Sequence, residues 1–270
     1  MSAAPIVLIG AGRMGSALLK GWSARALGPV IAIEPSPSAA LKRFAAAHRI
    51  ALFPTLARLD SVRPRACVVA LKPQVLKTEA AAAKAIAASG ALMLSIAAGT
   101  TTASLRKAWG GKARIVRAMP NTPGAIGQGI CGLFAARGVT PKDKALAEAL
   151  LSALGETVWV SRESDIDVVT ALSGSGPAYV FLLAEALAAA GQAEGLAPDL
   201  AAKLARATVA GSGALLAADP SPASDLRKAV TSPGGTTEAA LKVLMAKNGL
   251  EPLMRKAVAA ARKRARELGQ

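Results

Sequence analysis

The stretch IVLIGAGRMGSALLKGW, residues 6–22, constrains this chain more than any other. Ile6, Val7, Leu8 and Ile9 form an apolar, largely β-branched run of the kind buried on both faces of a parallel sheet. It leads directly into Gly10-Ala11-Gly12-Arg13-Met14-Gly15. In a strand–turn–helix unit the three glycines serve different ends. Gly10 permits the tight turn, Gly12 lets a pyrophosphate approach the backbone, and Gly15 lets the helix pack closely on the strand. The helix expected from Ser16 to about Arg25 then points unpaired N–H groups and a positive dipole end at phosphate. A second apolar run, residues 30–33, ends in Glu34, the acid that in such units hydrogen-bonds a ribose. Strand, glycine turn, helix and acid together read as a dinucleotide cradle, with Gly10, Gly12, Arg13, Met14, Gly15 and Glu34 as cofactor-binding residues.

Beyond the cradle the chain divides in two. Up to about residue 160, short β-type runs at 6–9, 30–33, 67–71, 92–97 and 115–118 alternate with helical segments, the pattern of a parallel sheet covered by helices. Runs at 129–135 and 157–160 are placed to extend that sheet. From Asp165 onward strand signals vanish, and 167–190, 198–218, 221–230, 237–247 and 252–268 all read as helices. The expected architecture is α/β: an N-terminal Rossmann-type parallel sheet over residues 1–162, then an all-α domain over 163–270. Within that second part, VFLLAEALAAAGQ is apolar around most of its circumference, so it seeks burial. A helical domain of roughly a hundred residues cannot enclose it alone, so a second copy of the chain is expected to cover it.

Composition narrows the function classes. Hydrophobic residues make up 52% of the chain, enough for a sizeable core, but aromatics only 3%, so packing relies on Ala, Leu and Val. The formal charge of +16 would suit a polyanion, yet the basic residues are spread along the chain except for RKRARELG near the end. With one tyrosine and four phenylalanines there are few rings to stack on bases, so no nucleic-acid partner is expected. No segment reads as membrane-spanning, and the first strand begins too early to leave room for a signal peptide. Cys67 and Cys131 lie in separate apolar runs, which fits a reducing cytoplasm. One histidine, His48, and no CxxC leave no evident metal site.

Three further stretches carry chemistry. Residues 69–74, VALKPQ, and 119–123, MPNTP, each follow a strand, where open α/β sheets bind ligands. Residues 230–238, VTSPGGTTE, join two helices with hydroxyls and glycines and offer free N–H groups at a helix start, a seat for a carboxylate. In that context DLRKAVTSPGGTTEAALKVL resembles the signature of pyrroline-5-carboxylate reductases, and RAMPNTP, SIAAG, LKPQ and LSGSGPAYVF resemble that family at the right order and spacing. The resemblance runs through nearly the whole chain. It implies a Rossmann domain, a helical domain that dimerises, and dimers that assemble further into a ring. It also implies the last step of proline biosynthesis, the NAD(P)H-dependent reduction of 1-pyrroline-5-carboxylate to L-proline.

By resemblance, the amides of Ser232, Gly234, Gly235 and Thr236 bind the substrate carboxylate, and Thr237 hydrogen-bonds the ring nitrogen as donor or relay. Glu163 is implied as a second catalytic residue lining the same pocket, with residues 173–177 as its wall. On the cofactor side the resemblance adds Ser36, Ala70, Lys72, Pro73, Ala98 and Asn121. The cofactor is NADPH or NADH. Glu34 points to NADH because an acid there repels a 2′-phosphate, whereas the serine-rich turn at 35–38, followed by Lys42 and Arg43, suits NADPH. The balance leans to NADH. Two rivals are a related imine reductase or β-hydroxyacid dehydrogenase, with Lys203, Lys228 or Lys242 as catalytic lysine, and a nucleic-acid-binding module using the charge. SPGGTT speaks against the first, and the want of a binding motif against the second.

Overall fold

The computed structural model describes residues 3–59, 62–72, 74–76 and 80–269. Eight strands form one sheet: β1 (Ile6–Ile9), β2 (Val30–Ile33), β3 (Ala51–Phe53), β4 (Ala66–Val69), β5 (Leu92–Ser95), β6 (Arg114–Met119), β7 (Gly129–Ala135) and β8 (Gly155–Trp159). Their order is β3-β2-β1-β4-β5-β6-β7-β8. The first six strands are parallel, β7 runs antiparallel to β6, and β8 is parallel to β7. The chain turns from β1 toward β2 and β3, then crosses back to place β4 on the other side. That reversal opens a crevice at the carboxyl ends of β1 and β4. Ile9 pairs with both Ile33 and Val69, Val69 with Ser95, and Ser95 with Arg117. The residues following Ile9, Ile33, Val69 and Ser95 therefore emerge at one end of the sheet.

Both faces of the sheet are covered, which is why the central strands β1, β2 and β4 are apolar at every position rather than every second one. Ile6 and Leu8 join α1 (Arg13–Ala24), α2 (Ala39–Ala47) and, further along the chain, α5 (Pro141–Leu151) in one core, with Trp22 and Leu150 inside it. Val7 and Ile9 face the other core, which includes Cys67, Met93 and residues of α3 (Lys84–Ala88) and α4 (Thr102–Trp109). The buried Trp22 Nε1 donates to the Leu150 carbonyl at 2.7 Å, so the largest ring in the first core leaves no donor unmet.

The remaining helices are α6 (Asp165–Val169), α7 (Gly176–Ala193), α8 (Pro198–Ala218), α9 (Ala223–Ala229), α10 (Thr236–Leu244) and α11 (Leu250–Leu268). The helix expected over 167–190 is interrupted by a π-turn at Thr170–Gly174. There Thr170 Oγ1 donates to the Ile166 carbonyl and Ser173 Oγ to that of Val169, side-chain competition that widens the turn. Backbone contacts divide the chain into two compact units, Met1–Gly174 with Ala261–Gln270, and Ser175–Ala260. This division falls later than the seam expected at 162/163. The reason is local: Ile166 and Ala171 are buried in the first unit, and Val169 lies so close to Gly132 that a Cβ there would meet it at 2.7 Å.

The second unit is all helical. α7 and α8 pack on each other, with Gly191 against Ala201. No residue of α7 is buried, and Phe181 and Leu182 are 61% and 62% exposed. Among the described residues one helical stretch, Asp165–Ala193, is long and apolar enough to cross a membrane by length and composition.

Candidate functional site

At the carboxyl end of β1 the chain turns on Gly10, whose φ of +89° favours glycine and whose position leaves a Cβ only 2.8 Å from the Ala70 carbonyl oxygen. Gly15 is closer packed still, since a Cβ there would lie 2.1 Å from the Gly10 carbonyl oxygen. Gly12 is different: no atom lies within 4 Å of its added Cβ. Gly10 and Gly15 are demanded by the protein's own packing, whereas Gly12 faces open space. α1 begins immediately afterwards, and no side chain caps its first amides. Arg13 is exposed and Met14 half-buried beside that space. An uncapped helix start behind a glycine that crowds nothing is a seat for phosphate, so the residues present fit a dinucleotide.

Glu34 stands at the edge of this seat. Its Oε2 accepts from the Ala11 amide at 2.9 Å and its Oε1 from the Ser36 amide at 3.3 Å. Ser16 Oγ closes the loop from the other side by donating to the Ala11 carbonyl at 2.7 Å. The acid is thus fixed against the glycine loop, where a ribose hydroxyl can reach it and a second anion would meet its charge. Ala70 follows β4 and is half-buried, and Lys72 is exposed. Pro73 lies outside the described residues. Beyond β5, Ala98 sits half-buried in the turn to α4. Asn121 fixes the turn after β6, its Oδ1 accepting from the Ile130 amide at 2.9 Å.

Glu163 is committed within the first unit. Its Oε1 accepts from the Thr102 amide and its Oε2 from the Thr102 hydroxyl, both at 2.6 Å, and Oε1 also meets Arg117 Nη1 at 3.3 Å. Both oxygens are engaged. Sequence reasoning passed over Arg117 and Thr102; the signal was an arginine in the interior of the strand RIVRAM, between Val116 and Ala118.

The 230–238 segment belongs to the helical unit. Gly234 adopts a φ of +70°, which turns the chain into α10, and Gly235 stands at the N-cap with no side-chain cap on the helix. Two of the expected carboxylate donors are engaged internally: the Gly234 amide donates to Glu238 Oε2 at 2.9 Å and the Gly235 amide to the Ser232 carbonyl at 3.0 Å. Thr236 and Thr237 open the helix, Ser232 and Thr236 exposed and Thr237 half-buried. Glu238 is a further residue whose role sequence reasoning missed, although an acid three positions past an N-cap commonly folds back on the preceding turn. Among the described residues no group of three His, Cys, Asp or Glu side chains could hold a metal ion.

The pyrroline-5-carboxylate reductase dimerisation family matches residues 163–268. A pyrroline-5-carboxylate reductase of Pseudomonas aeruginosa is 40% identical over 272 residues, covering 100% of this chain and 98% of that one. The chain belongs to the pyrroline-5-carboxylate reductase family. A solved reductase of this family from Coxiella burnetii superposes with a TM-score of 0.89 at 38% identity, covering 98% of each chain. The pyrroline carboxylate reductase of Plasmodium falciparum, solved with NADP bound, gives a TM-score of 0.82 at 28% identity over 100% of both chains. As a member of the family this reductase is an oxidoreductase with a Rossmann-type unit and a dimerisation domain.

Proposed function

We propose that this chain reduces 1-pyrroline-5-carboxylate to L-proline, the last step of proline biosynthesis, using NADH or NADPH. The observation that carries the reading is the glycine loop: Gly12 borders open space at an uncapped helix start, directly beside the fixed carboxylate of Glu34. When bound, the reduced dinucleotide supplies a hydride to the imine carbon. The protein's share is binding, orientation and proton delivery. Gly10, Gly12, Arg13, Met14 and Gly15 seat the pyrophosphate, while Ala70, Lys72, Pro73, Ala98 and Asn121 border the remaining cofactor. The start of α10 receives the substrate carboxylate through the amides of Ser232, Gly234, Gly235 and Thr236. For the Gly234 amide this means displacing Glu238, one carboxylate exchanged for another. Thr237 hydrogen-bonds the ring nitrogen, which gains the proton that balances the transferred hydride.

Glu34 favours NADH, because its carboxylate, held by the Ala11 and Ser36 amides, opposes a 2′-phosphate. The apolar face of α7 pairs with a second copy, and such dimers assemble further into a ring. Residues 1–162 serve as the dinucleotide-binding domain and 163–270, of which 163–174 and 261–270 pack with the first unit, as the dimerisation and substrate domain, in the cytoplasm, with neither nucleic acid nor membrane as a partner. The decisive assay follows loss of reduced-nicotinamide absorbance on adding 1-pyrroline-5-carboxylate, with NADH and NADPH in parallel and proline measured as product. Turnover that forms proline supports the reading. Cofactor binding with no turnover on this imine would redirect it to another imine or to a hydroxy acid.

A further inference from the structure

The turn between β5 and α4 is held at both ends and in its middle by groups from distant parts of the chain. At its start, Ser95 pairs with Arg117 in the sheet register. At its end, Thr102 gives both its amide and its hydroxyl to Glu163 at 2.6 Å. Arg117 reaches Glu163 at 3.3 Å and Asp167 at 3.1 Å, and Asp167 stands 4.0 Å from Arg266 near the end of α11. In the middle, Gly99 has a φ of +69°, and a Cβ there would lie 2.8 Å from the Leu268 Cβ. Ala98 rides between these fixed points.

This arrangement carries a cost. The Arg117 side chain is only 4% exposed, and its Nε is buried without an acceptor, a donor taken from water and not compensated by a hydrogen bond. Helix capping alone would not call for it, because Thr101 Oγ1 already caps α4 by accepting from the Ser104 amide at 3.2 Å. What the buried cation adds is a fixed place for the Glu163 carboxylate, and through it for the turn.

We propose that Glu163 and Arg117 are positioning residues that set the β5–α4 turn, and with it Ala98, for the nicotinamide cofactor, and that Glu163 takes no proton in the reaction. The turn lies at the end of the sheet where the cradle sits, and a displacement of about 1 Å at such a place costs up to about a hundredfold in rate. The inference rests on the reductase reading, so wild-type turnover of 1-pyrroline-5-carboxylate is its control, and dinucleotide affinity, which needs no substrate, is the primary readout.

The test titrates NADH and NADPH by fluorescence and records pH profiles of kcat for wild type, Glu163→Gln, Glu163→Ala and Gly99→Ala. Glu163→Gln keeps an oxygen to accept from Thr102, so its dissociation constants should stay within about threefold of wild type with an unchanged profile. Glu163→Ala releases Thr102 and Gly99→Ala pushes the turn off Leu268; each should weaken dinucleotide binding on the order of tenfold. Loss of turnover or of one pH limb in Glu163→Gln with normal cofactor affinity would overturn the proposal, since Glu163 would then act on a proton. Wild-type affinity in Glu163→Ala and Gly99→Ala would overturn it equally. Where Glu163→Ala folds poorly, Thr102→Val decides, because it removes the hydroxyl that donates to Glu163 while keeping the side chain's size: it should weaken dinucleotide binding in the same direction, and wild-type affinity there would overturn the proposal.

Discussion

Three glycines of one loop are required for different reasons, and single methyl groups separate those reasons. At Gly15 an added Cβ would sit 2.1 Å from a backbone oxygen, so Gly15→Ala must shift the strand against the helix and should lower the melting temperature of the protein by several degrees or more, about 2 kcal/mol of overpacking. At Gly12 the same methyl meets nothing, and the backbone at φ −64° admits alanine. Gly12→Ala should therefore leave the melting temperature of the free protein within about a degree of wild type while weakening dinucleotide binding on the order of tenfold, since only the ligand would touch it. Thermal denaturation with and without NADH measures both effects, and a destabilised free Gly12→Ala protein would place another group in that space. Glu34 sets the second residue-scale contrast. On the proposed NADH preference, replacing it with serine removes the charge that opposes a 2′-phosphate, so the ratio of kcat/KM for NADPH over NADH should rise about tenfold or more. An unchanged ratio would mean that the bonds from Ala11 and Ser36 keep the acid turned away from the ribose.

Elements of this fold are set by signals of unequal strength. The glycine turn after β1, the all-helical second half and the turn into α10 are legible because each rests on a local pattern: apolar runs, small-residue turns and hydroxyl-rich helix starts. β3 is not, because Ala51–Phe53 is three residues of half-exposed edge strand with no period to detect. The reversed direction of β7 and β8 is hidden too, since alternation of strands and helices tells nothing of direction once a short turn replaces a helix. The commitment of Glu163 to Thr102 and Arg117 joins residues 61 and 46 positions apart, a pairing that tertiary structure alone creates. α5 shows what a local signal provides. Thr140 accepts from the Asp143 amide at 3.2 Å, Asp143 accepts from the Thr140 amide at 2.9 Å, and Arg114 meets the same carboxylate at 2.6 Å. Thr140→Ala should cost about 1 kcal/mol in urea denaturation with activity retained. The central strands also fix the cysteines. Burial pushes the Cys131 thiol up to about 12 and raises that of Cys67 as well, so neither should react with iodoacetamide at about pH 8 until the protein is unfolded. The sign for stability follows. Thiols of the unfolded chain ionise near about 8.5 while the folded ones stay neutral, so stability is full below that pH and falls as the pH rises toward 12.

At the scale of the whole molecule, the helical unit cannot be the end of the assembly. Along α7, Val180, Phe181, Leu182, Leu183 and Leu187 are all more than two-fifths exposed, and α8 adds Leu200, Leu204, Leu215 and Leu216. Exposed apolar residues in this number mark an interface, and the match of residues 163–268 to a dimerisation family supports a second copy as the partner. The charge of +16 on each chain works against that pairing over long range, so hydrophobic contact must outweigh repulsion that salt screens. Dimer affinity should accordingly rise with ionic strength. In a two-fold interface each substitution acts twice. Phe181→Arg removes about 2 kcal/mol of apolar burial from each protomer and sets a cation into an apolar surface, so the dissociation constant should rise at least about a thousandfold. Light scattering at micromolar concentration should then find dimers or larger assemblies for wild type and monomers or aggregates for Phe181→Arg, while the Rossmann-type unit still binds dinucleotide. A variant of wild-type mass would move the interface from the Phe181 face of α7 to the exposed leucines of α8.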